Sequence, residues 1–274
     1  MLGAGGLLGS ALVRAGAERG LVRGDLDIGD LTAVEEALDR WQPRVVINAA
    51  AQARVDLAEQ VPEQAWRVNH RAVEALARAC RRRAIRLLHI GTDYSLRSSQ
   101  DLRPDMPADP QGTYAQSKSA GEQAALEQGA LVVRVQWVYH PTHPGFFSRS
   151  LDALRRGVPL RLVCDQLGCP TPVDPLARAL LAAARAEPAG LFHLACTGEV
   201  SPLGWITAAA ALLGLPLSAE PITRADLGGA PRPARSVLDS SAFREAFGLG
   251  LPHWHDGLRL ALLGPDVLES RTPP

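Results

Sequence analysis

The sequence predicts an α/β fold: a doubly wound parallel sheet with a smaller region following it towards the C-terminus. Three observations carry that prediction. Short continuous apolar runs, Arg44-Val-Val-Ile-Asn-Ala-Ala50, Arg86-Leu-Leu-His-Ile-Gly91 and Leu131–Val135, alternate with amphipathic segments. Such runs suit strands buried on both faces, and their alternation with helices suits a parallel sheet covered on each side. A glycine-rich turn opens the chain, and after Tyr139 the segments shorten and prolines become more frequent.

Taken in order, Met1-Leu-Gly-Ala-Gly-Gly-Leu-Leu-Gly9 is the glycine turn, and Ser10–Arg19 is predicted as a helix, with Ala11, Leu12, Ala15 and Ala17 suited to close packing. Asp30–Trp41 places Leu31, Val34, Ala37, Leu38 and Trp41 at helical spacing. Pro62–Cys80 is predicted as one helix with Trp66, Val68, Val73, Leu76 and Ala77 as its buried stripe, and Thr113–Gln128 as another. Gly190–Ala195 is expected to return to the main sheet. Residues 1–140 therefore form the first unit, 141–263 mostly the second, and 264–274 a frayed polar tail. The chain shows no internal repeat.

Composition narrows the function. The 274 residues carry 29 basic and 29 acidic side chains, so no broad surface attracts a polyanion and nucleic acid is an unexpected partner. Arg81-Arg82-Arg83 fits the solvated end of a helix. The four cysteines, Cys80, Cys164, Cys169 and Cys196, form no C-x-x-C pair, which argues against zinc or a disulfide framework and for free buried thiols in a reducing cytoplasm. No stretch is long and apolar enough to cross a membrane, and the start lacks the basic-then-apolar order of a signal peptide.

Three features bear chemistry. Gly3, Gly6 and Gly9 are spaced G-x-x-G-x-x-G, where backbone amides at a helix N-terminus could approach a pyrophosphate without a Cβ intervening; glycine turns also occur for purely structural reasons. Tyr114 and Lys118 stand four apart in Tyr114-Ala-Gln-Ser-Lys118 and share a helix face. An ammonium beside a phenol favours phenolate and suits the phenol to acid–base work, although an isolated Y-x-x-x-K is ordinarily an exposed pair. Here the chain has 28 arginines and one lysine, Lys118, so a position that kept its amine needs a compact, tunable charge. Thr92 ends a buried strand, where ligands meet a parallel sheet and a hydroxyl can bond a substrate oxygen; a turn threonine is the alternative. The histidines, His253 and His255 included, show no ligand spacing and read as structural; no metal site is expected.

These residues together resemble the extended short-chain dehydrogenase/reductases, and within them the dTDP-4-dehydrorhamnose reductases, from Gly3 to about Leu258. The likeness rests on ordered segments: Gly3–Gly9, Val46–Ala51, Val55-Asp-Leu-Ala-Glu59, Val68-Asn69, Gly91-Thr-Asp-Tyr94, Tyr114–Glu122, Arg134–Tyr139, Asp165–Thr171 and Arg232–Leu238. The resemblance implies a Rossmann-type dinucleotide-binding domain over residues 1–140 and a substrate-binding region mostly within 141–263. It implies NADPH or NADH as cofactor, a nucleotide-sugar substrate, a cytoplasmic location and compatibility with a homodimer. Hydride would reach the C4 ketone of a nucleotide-linked 4-dehydro-6-deoxy sugar. Tyr114 would protonate the oxygen, Lys118 would lower the Tyr114 pKa and hold the nicotinamide ribose, and Thr92 would hydrogen-bond the ketone. Gly3, Gly6 and Gly9 would admit the pyrophosphate, Ala49, Ala50 and Ala51 would line the cofactor, and Asp27 and Ile28 would approach the adenine. Asn69 would order the catalytic helix, and Trp137 and Arg232 would face the nucleotide side of the substrate.

The sequence departs from this pattern in three places. Only Met1 and Leu2 precede Gly3, where the family has a full central strand; its loss would leave two rows of unpaired backbone groups, and a start codon assigned too far downstream is the expected cause. The second strand is reduced to Gly20-Leu-Val-Arg-Gly24, which leaves NAD and NADP undistinguished. Tyr94-Ser-Leu-Arg-Ser-Ser99 replaces the family's aromatic and Asp-Gly turn. Two other functions share the fold: a non-catalytic binding protein like the regulatory subunit of methionine adenosyltransferase, which the reduced cofactor half favours, and a nucleotide-sugar epimerase or dehydratase.

Overall fold

The computed structural model describes residues 1–97 and 102–264, so Ser98 and Ser99 of the divergent loop and nearly all of the expected tail lie outside the described residues. In chain order the elements begin with α1 (Leu7–Arg14), α2 (Leu31–Trp41), β1 (Val45–Asn48), α3 (Val55–Gln60), α4 (Pro62–Trp66), α5 (Ala72–Arg82), β2 (Arg86–Thr92), α6 (Gly112–Glu127), β3 (Leu131–Val135) and β4 (Val138–Tyr139). They continue with α7 (Phe146–Arg155), β5 (Leu160–Val163), β6 (Thr171–Pro172), α8 (Val173–Arg185), β7 (Gly190–His193), α9 (Pro202–Leu213), β8 (Ala219–Ile222), α10 (Arg224–Leu227), α11 (Ser241–Phe247) and α12 (Trp254–Leu263).

The main sheet runs β1-β2-β3-β7, all parallel. Leu2 extends it, bridging Asn48 on one side and Leu21 on the other. The two unpaired rows expected at the first strand do not occur at these residues. Leu2 N donates to Ile47 O (2.9 Å) and Ala49 N to Leu2 O (3.1 Å), while Leu21 N donates to Met1 O (3.0 Å) and Gly3 N to Leu21 O (3.1 Å). From Leu2 the chain steps first to Leu21 on one side, then to β1 on the other. That reversal is a topological switch point, and α/β sheets bind ligands beyond the C-terminal strand ends at such a point.

One face of the sheet packs Leu12, Ile47, Leu88, Val133, Leu176, Leu180 and Phe243; the other packs Val34, Leu38, Val46, Val73, Leu76 and Val132. Helix α8 thus belongs to the first core, although it lies in the segment expected to be mostly part of the smaller region. A separate core gathers Tyr139, Phe147, Leu151, Leu162, Trp205, Ile206 and Leu258 from β4, α7, β5, α9 and α12. Among the described residues no helix is long and apolar enough to cross a membrane. Cys80, Cys169 and Cys196 are buried thiols, but Cys164 is exposed, because it follows β5 at the edge of a two-stranded sheet rather than lying in a core.

Two helices differ from their sequence reading. Helix α1 runs Leu7–Arg14 rather than Ser10–Arg19: Gly6 caps its start, and Gly16 at φ +110° lies just past its end. The predicted single helix Pro62–Cys80 is real in length but carries a π-helical turn over Arg67–Arg71. That turn brings the Asn69 carbonyl against α6 so closely that a Cβ on Gly121 would lie 2.0 Å from its oxygen. Gly121→Ala must therefore separate α6 from the π turn. It is expected to lower stability by about 1–3 kcal/mol in denaturant unfolding, the usual cost of overpacking.

Candidate active site

Strand β2 delivers Thr92, 5 % exposed, to the C-terminal end of the sheet. Helix α6 then brings Tyr114, Lys118 and Glu122, spaced one turn apart, along the same side of the strand end. The Tyr114 hydroxyl lies beside the Thr92 side chain, near enough for the threonine to favour the phenolate. Its ring meets the edge of Tyr94, with centroids 5.5 Å apart at 84°. Helix placement is fixed by Asn69, whose Nδ2 donates to Ser117 Oγ (3.1 Å) and Gln52 O (3.1 Å), while its Oδ1 accepts from Gln52 N (2.8 Å).

The electrostatics differ from the simple picture of an ammonium acidifying a phenol. Lys118 Nζ donates to Ile90 O at 2.6 Å and faces His89 Nε2 at 3.5 Å. Its reach is taken up by the β2 backbone. Burial pushes the Tyr114 phenol up to about 12, with the Thr92 side chain opposing the rise. Burial lowers Lys118 to about 8, opposed by the Glu122 charge. His89, whose Nδ1 takes the Asn48 amide at 3.2 Å, is held well below the ordinary histidine range by burial and by the lysine.

Beneath these groups lies a buried ion pair. Glu122 and Arg134 are 1 % and 4 % exposed, with Arg134 Nε donating to Glu122 Oε2 at 2.8 Å. The other carboxylate oxygen accepts from Thr92 N (2.8 Å) and Ser95 Oγ (2.9 Å). One carboxylate thus ties α6, β3 and the turn after β2 together. Beside it, Asp93 is buried and raised to about 6 by that burial, against hydrogen bonds from Ser236, Thr92 and Gln136.

The other sequence-predicted residues fall in several places. Gly3 takes φ +82° with its α-carbon against the Ala49–Ala50 backbone, and a Cβ on Gly9 would lie 2.0 Å from Gly3 O, so these two glycines let the turn close on itself. Gly6 is the N-cap of α1, with no side-chain cap and no acid in the first turn. Ala49 and Ala50 are half-buried and Ala51 exposed beyond β1. Asp27 is engaged by Gly29 N (2.8 Å) and Arg67 (3.2 Å), which hold its carboxyl below the usual range, while Ile28 is buried in the core.

A cleft of about 210 Å³ opens beside Tyr94, lined also by Leu96, Arg97, Gln111, Arg224 and the segment 231–234. Arg232 lies on it, fixed by both Asp56 oxygens (3.0 and 2.9 Å). Trp137 does not line this cleft. It lies over Gly168 and stacks on Trp205, with centroids 6.4 Å apart.

Sequence reasoning passed over Asp93, Glu122, His89 and Arg134 as functional groups. Their signal was present: charged or polar side chains within runs otherwise buried, which persist only when partnered.

The parallel sheet with its switch point, the glycine turn, and tyrosine, lysine and threonine at one strand end define a protein of the extended short-chain dehydrogenase/reductase class. The family described as RmlD substrate binding domain matches residues 1–264, and the chain belongs to it. The chain is 39 % identical to a dTDP-4-dehydrorhamnose reductase of Mycobacterium tuberculosis, over 96 % of this chain and 91 % of that one. It is 36 % identical to a protein of the same name from Streptomyces griseus, over 93 % and 90 %. Its fold superposes on the crystal structure of dTDP-4-dehydrorhamnose reductase from Bacillus anthracis in complex with NADP, with TM-score 0.92 at 24 % identity, covering 96 % of this chain and 98 % of that one.

Proposed function

We propose that this chain is an NAD(P)H-dependent reductase of the C4 ketone of a nucleotide-linked 4-dehydro-6-deoxy sugar, the activity for which its dTDP-4-dehydrorhamnose reductase relatives are named. The observation that carries the reading is the placement of Tyr114 beside Thr92 at the end of β2, in a chain so similar to those relatives.

The glycine turn fits a dinucleotide. The first turn of α1 has no side-chain cap, and a Cβ on Gly6 would find no protein atom nearer than 3.5 Å, so the space that its absence leaves suits a pyrophosphate at the helix N-terminus. Gly3 and Gly9 shape that turn, Ala49, Ala50 and Ala51 line the cofactor, and Asp27 approaches the adenine with the buried Ile28 behind it. A nicotinamide bound there would supply the hydride for C4. Tyr114, kept as a phenol by burial, is then an acid, which is the form reduction needs: its proton passes to the oxygen as the C–H bond forms. Thr92 hydrogen-bonds the same oxygen. Lys118 is charged below about pH 8 and holds the ribose. Arg232 serves the nucleotide side of the substrate from the cleft, and Trp137, packed on Gly168 and Trp205, is the second candidate for that side. In this reading residues 1–140 with β7 are the dinucleotide-binding part and 141–263 mostly the substrate-binding part; a cytoplasmic location and a homodimer accompany it.

The expected result is that purified protein consumes NADPH or NADH only when a dTDP-4-dehydro sugar is added, followed by loss of reduced-nicotinamide absorbance. Cofactor binding without turnover on any nucleotide sugar would replace this reading with the non-catalytic one.

A further inference from the structure

We propose that Asp93 is a positioning residue that sets the direction of the Thr92 hydrogen bond, and so decides whether Thr92 can donate to the oxygen that Tyr114 protonates. A hydroxyl has one proton to give and two lone pairs to offer. Thr92 Oγ1 donates to Asp93 Oδ1 at 3.3 Å and accepts from Tyr94 N at 3.3 Å, and the Tyr114 phenol lies beside the same side chain. While Asp93 is a carboxylate, this charge-assisted bond takes the only proton Thr92 has. Thr92 is then an acceptor towards the site. When Asp93 is a neutral acid its own O–H donates to Thr92 Oγ1, and the threonine proton turns outward, towards the phenol or a ketone oxygen.

The surroundings of Asp93 suit a group that changes state. It is 3 % exposed, and its other oxygen takes the Gln136 amide at 3.4 Å, with the Ser236 side chain beside it. Among the described residues no cation forms an ion pair with it. The charged and titratable groups around it are Tyr94 on its own segment and Tyr114 and Glu122 from α6. Beyond these are Arg134 from β3, already paired with Glu122, and Arg232, already paired with Asp56. Burial without a cation brings the carboxyl to about 6, within reach of working pH. The sign follows: reduction, which needs a donor at the developing alkoxide, is favoured below this value and loses the Thr92 contribution as pH rises through it.

The test uses the chain with ¹³Cζ-labelled tyrosine. There are only three tyrosines, and Y114F assigns the Tyr114 signal. Titrated without substrate, the Tyr114 signal is expected to move with one inflection near pH 6. Asp93→Asn, which is isosteric and cannot ionise, should abolish the inflection. Thr92→Val, which keeps Asp93 but removes the hydroxyl, should lose most of it. A flat wild-type titration, an inflection surviving in Asp93→Asn, or a full-sized shift in Thr92→Val would each overturn the proposal. Its catalytic consequence rests on the reductase reading: the wild-type kcat/KM profile for reduction should fall through the same pH and Asp93→Asn should flatten it. Absent turnover with the inflection intact would sink the reductase reading alone; active enzyme with no inflection would sink the Asp93 assignment alone.

Discussion

Replacing Tyr114 by phenylalanine is expected to lower turnover by about 10²–10⁴-fold, the range for removing a positioned general acid, while leaving cofactor affinity within about twofold. The substitution deletes one oxygen. The ring keeps its edge-to-face packing on Tyr94 at 5.5 Å, and α6 keeps the Asn69–Ser117 bond that sets its position. What disappears is the proton source beside Thr92. Steady-state kinetics with a dTDP-4-dehydro sugar, beside a fluorescence titration of NADPH, separates the two quantities. A variant that turned over at the wild-type rate would remove Tyr114 from the chemistry altogether. The raised phenol pKa gives a second expectation: the protonated form persists across the neutral range, so no loss of reduction on the alkaline side should arise from Tyr114 below about pH 12.

Glu122→Ala is expected to be the most destabilising single change in the site, at about 3–5 kcal/mol, because it strands a buried cation. Arg134 is 4 % exposed, its Nη1 already lacks a partner, and its Nε bond goes to Glu122. The same change frees Thr92 N and Ser95 Oγ, so activity should fall along with stability. Replacing both members, as in Glu122→Leu with Arg134→Met, should recover much of the loss, since an apolar pair of similar volume leaves no charge uncompensated. Denaturant unfolding of the two single variants and the double variant closes the cycle. A cost below about 1 kcal/mol for Glu122→Ala would mean that water reaches the arginine and that the pair is not the clamp described here.

The strands were readable because their apolar runs allow little else: Leu131–Val135 matches to the residue, and Arg86–Thr92 extends the sequence reading by one. The ends of α1 were not, because Gly6 and Gly16 act through backbone geometry that a hydrophobic pattern does not encode. The π turn was invisible for a deeper reason. It answers to a contact between the Asn69 carbonyl and Gly121, more than 50 residues away in sequence, and no local period records that. In the site, spacing alone put Tyr114 and Lys118 on one helix face. It could not show that the amine would reach the carbonyl of Ile90, since that depends on where β2 lies beneath the helix. Trp137 was singled out by its motif, yet its surroundings, Gly168 and Trp205, come from elements far along the chain.

The scarcity of lysine has a practical side. The single ε-amine of this chain is 4 % exposed and bonded to a strand carbonyl, so the folded protein offers acylating reagents no accessible side-chain amine. When solvent reaches that amine, the burial that lowers its pKa is relieved, and the small neutral fraction present near pH 7 is then open to acylation. Side-chain acylation is therefore a stopwatch for opening of the site: the rate at which one internal tag appears reports how often α6 lifts from the sheet, with no background from other lysines to subtract.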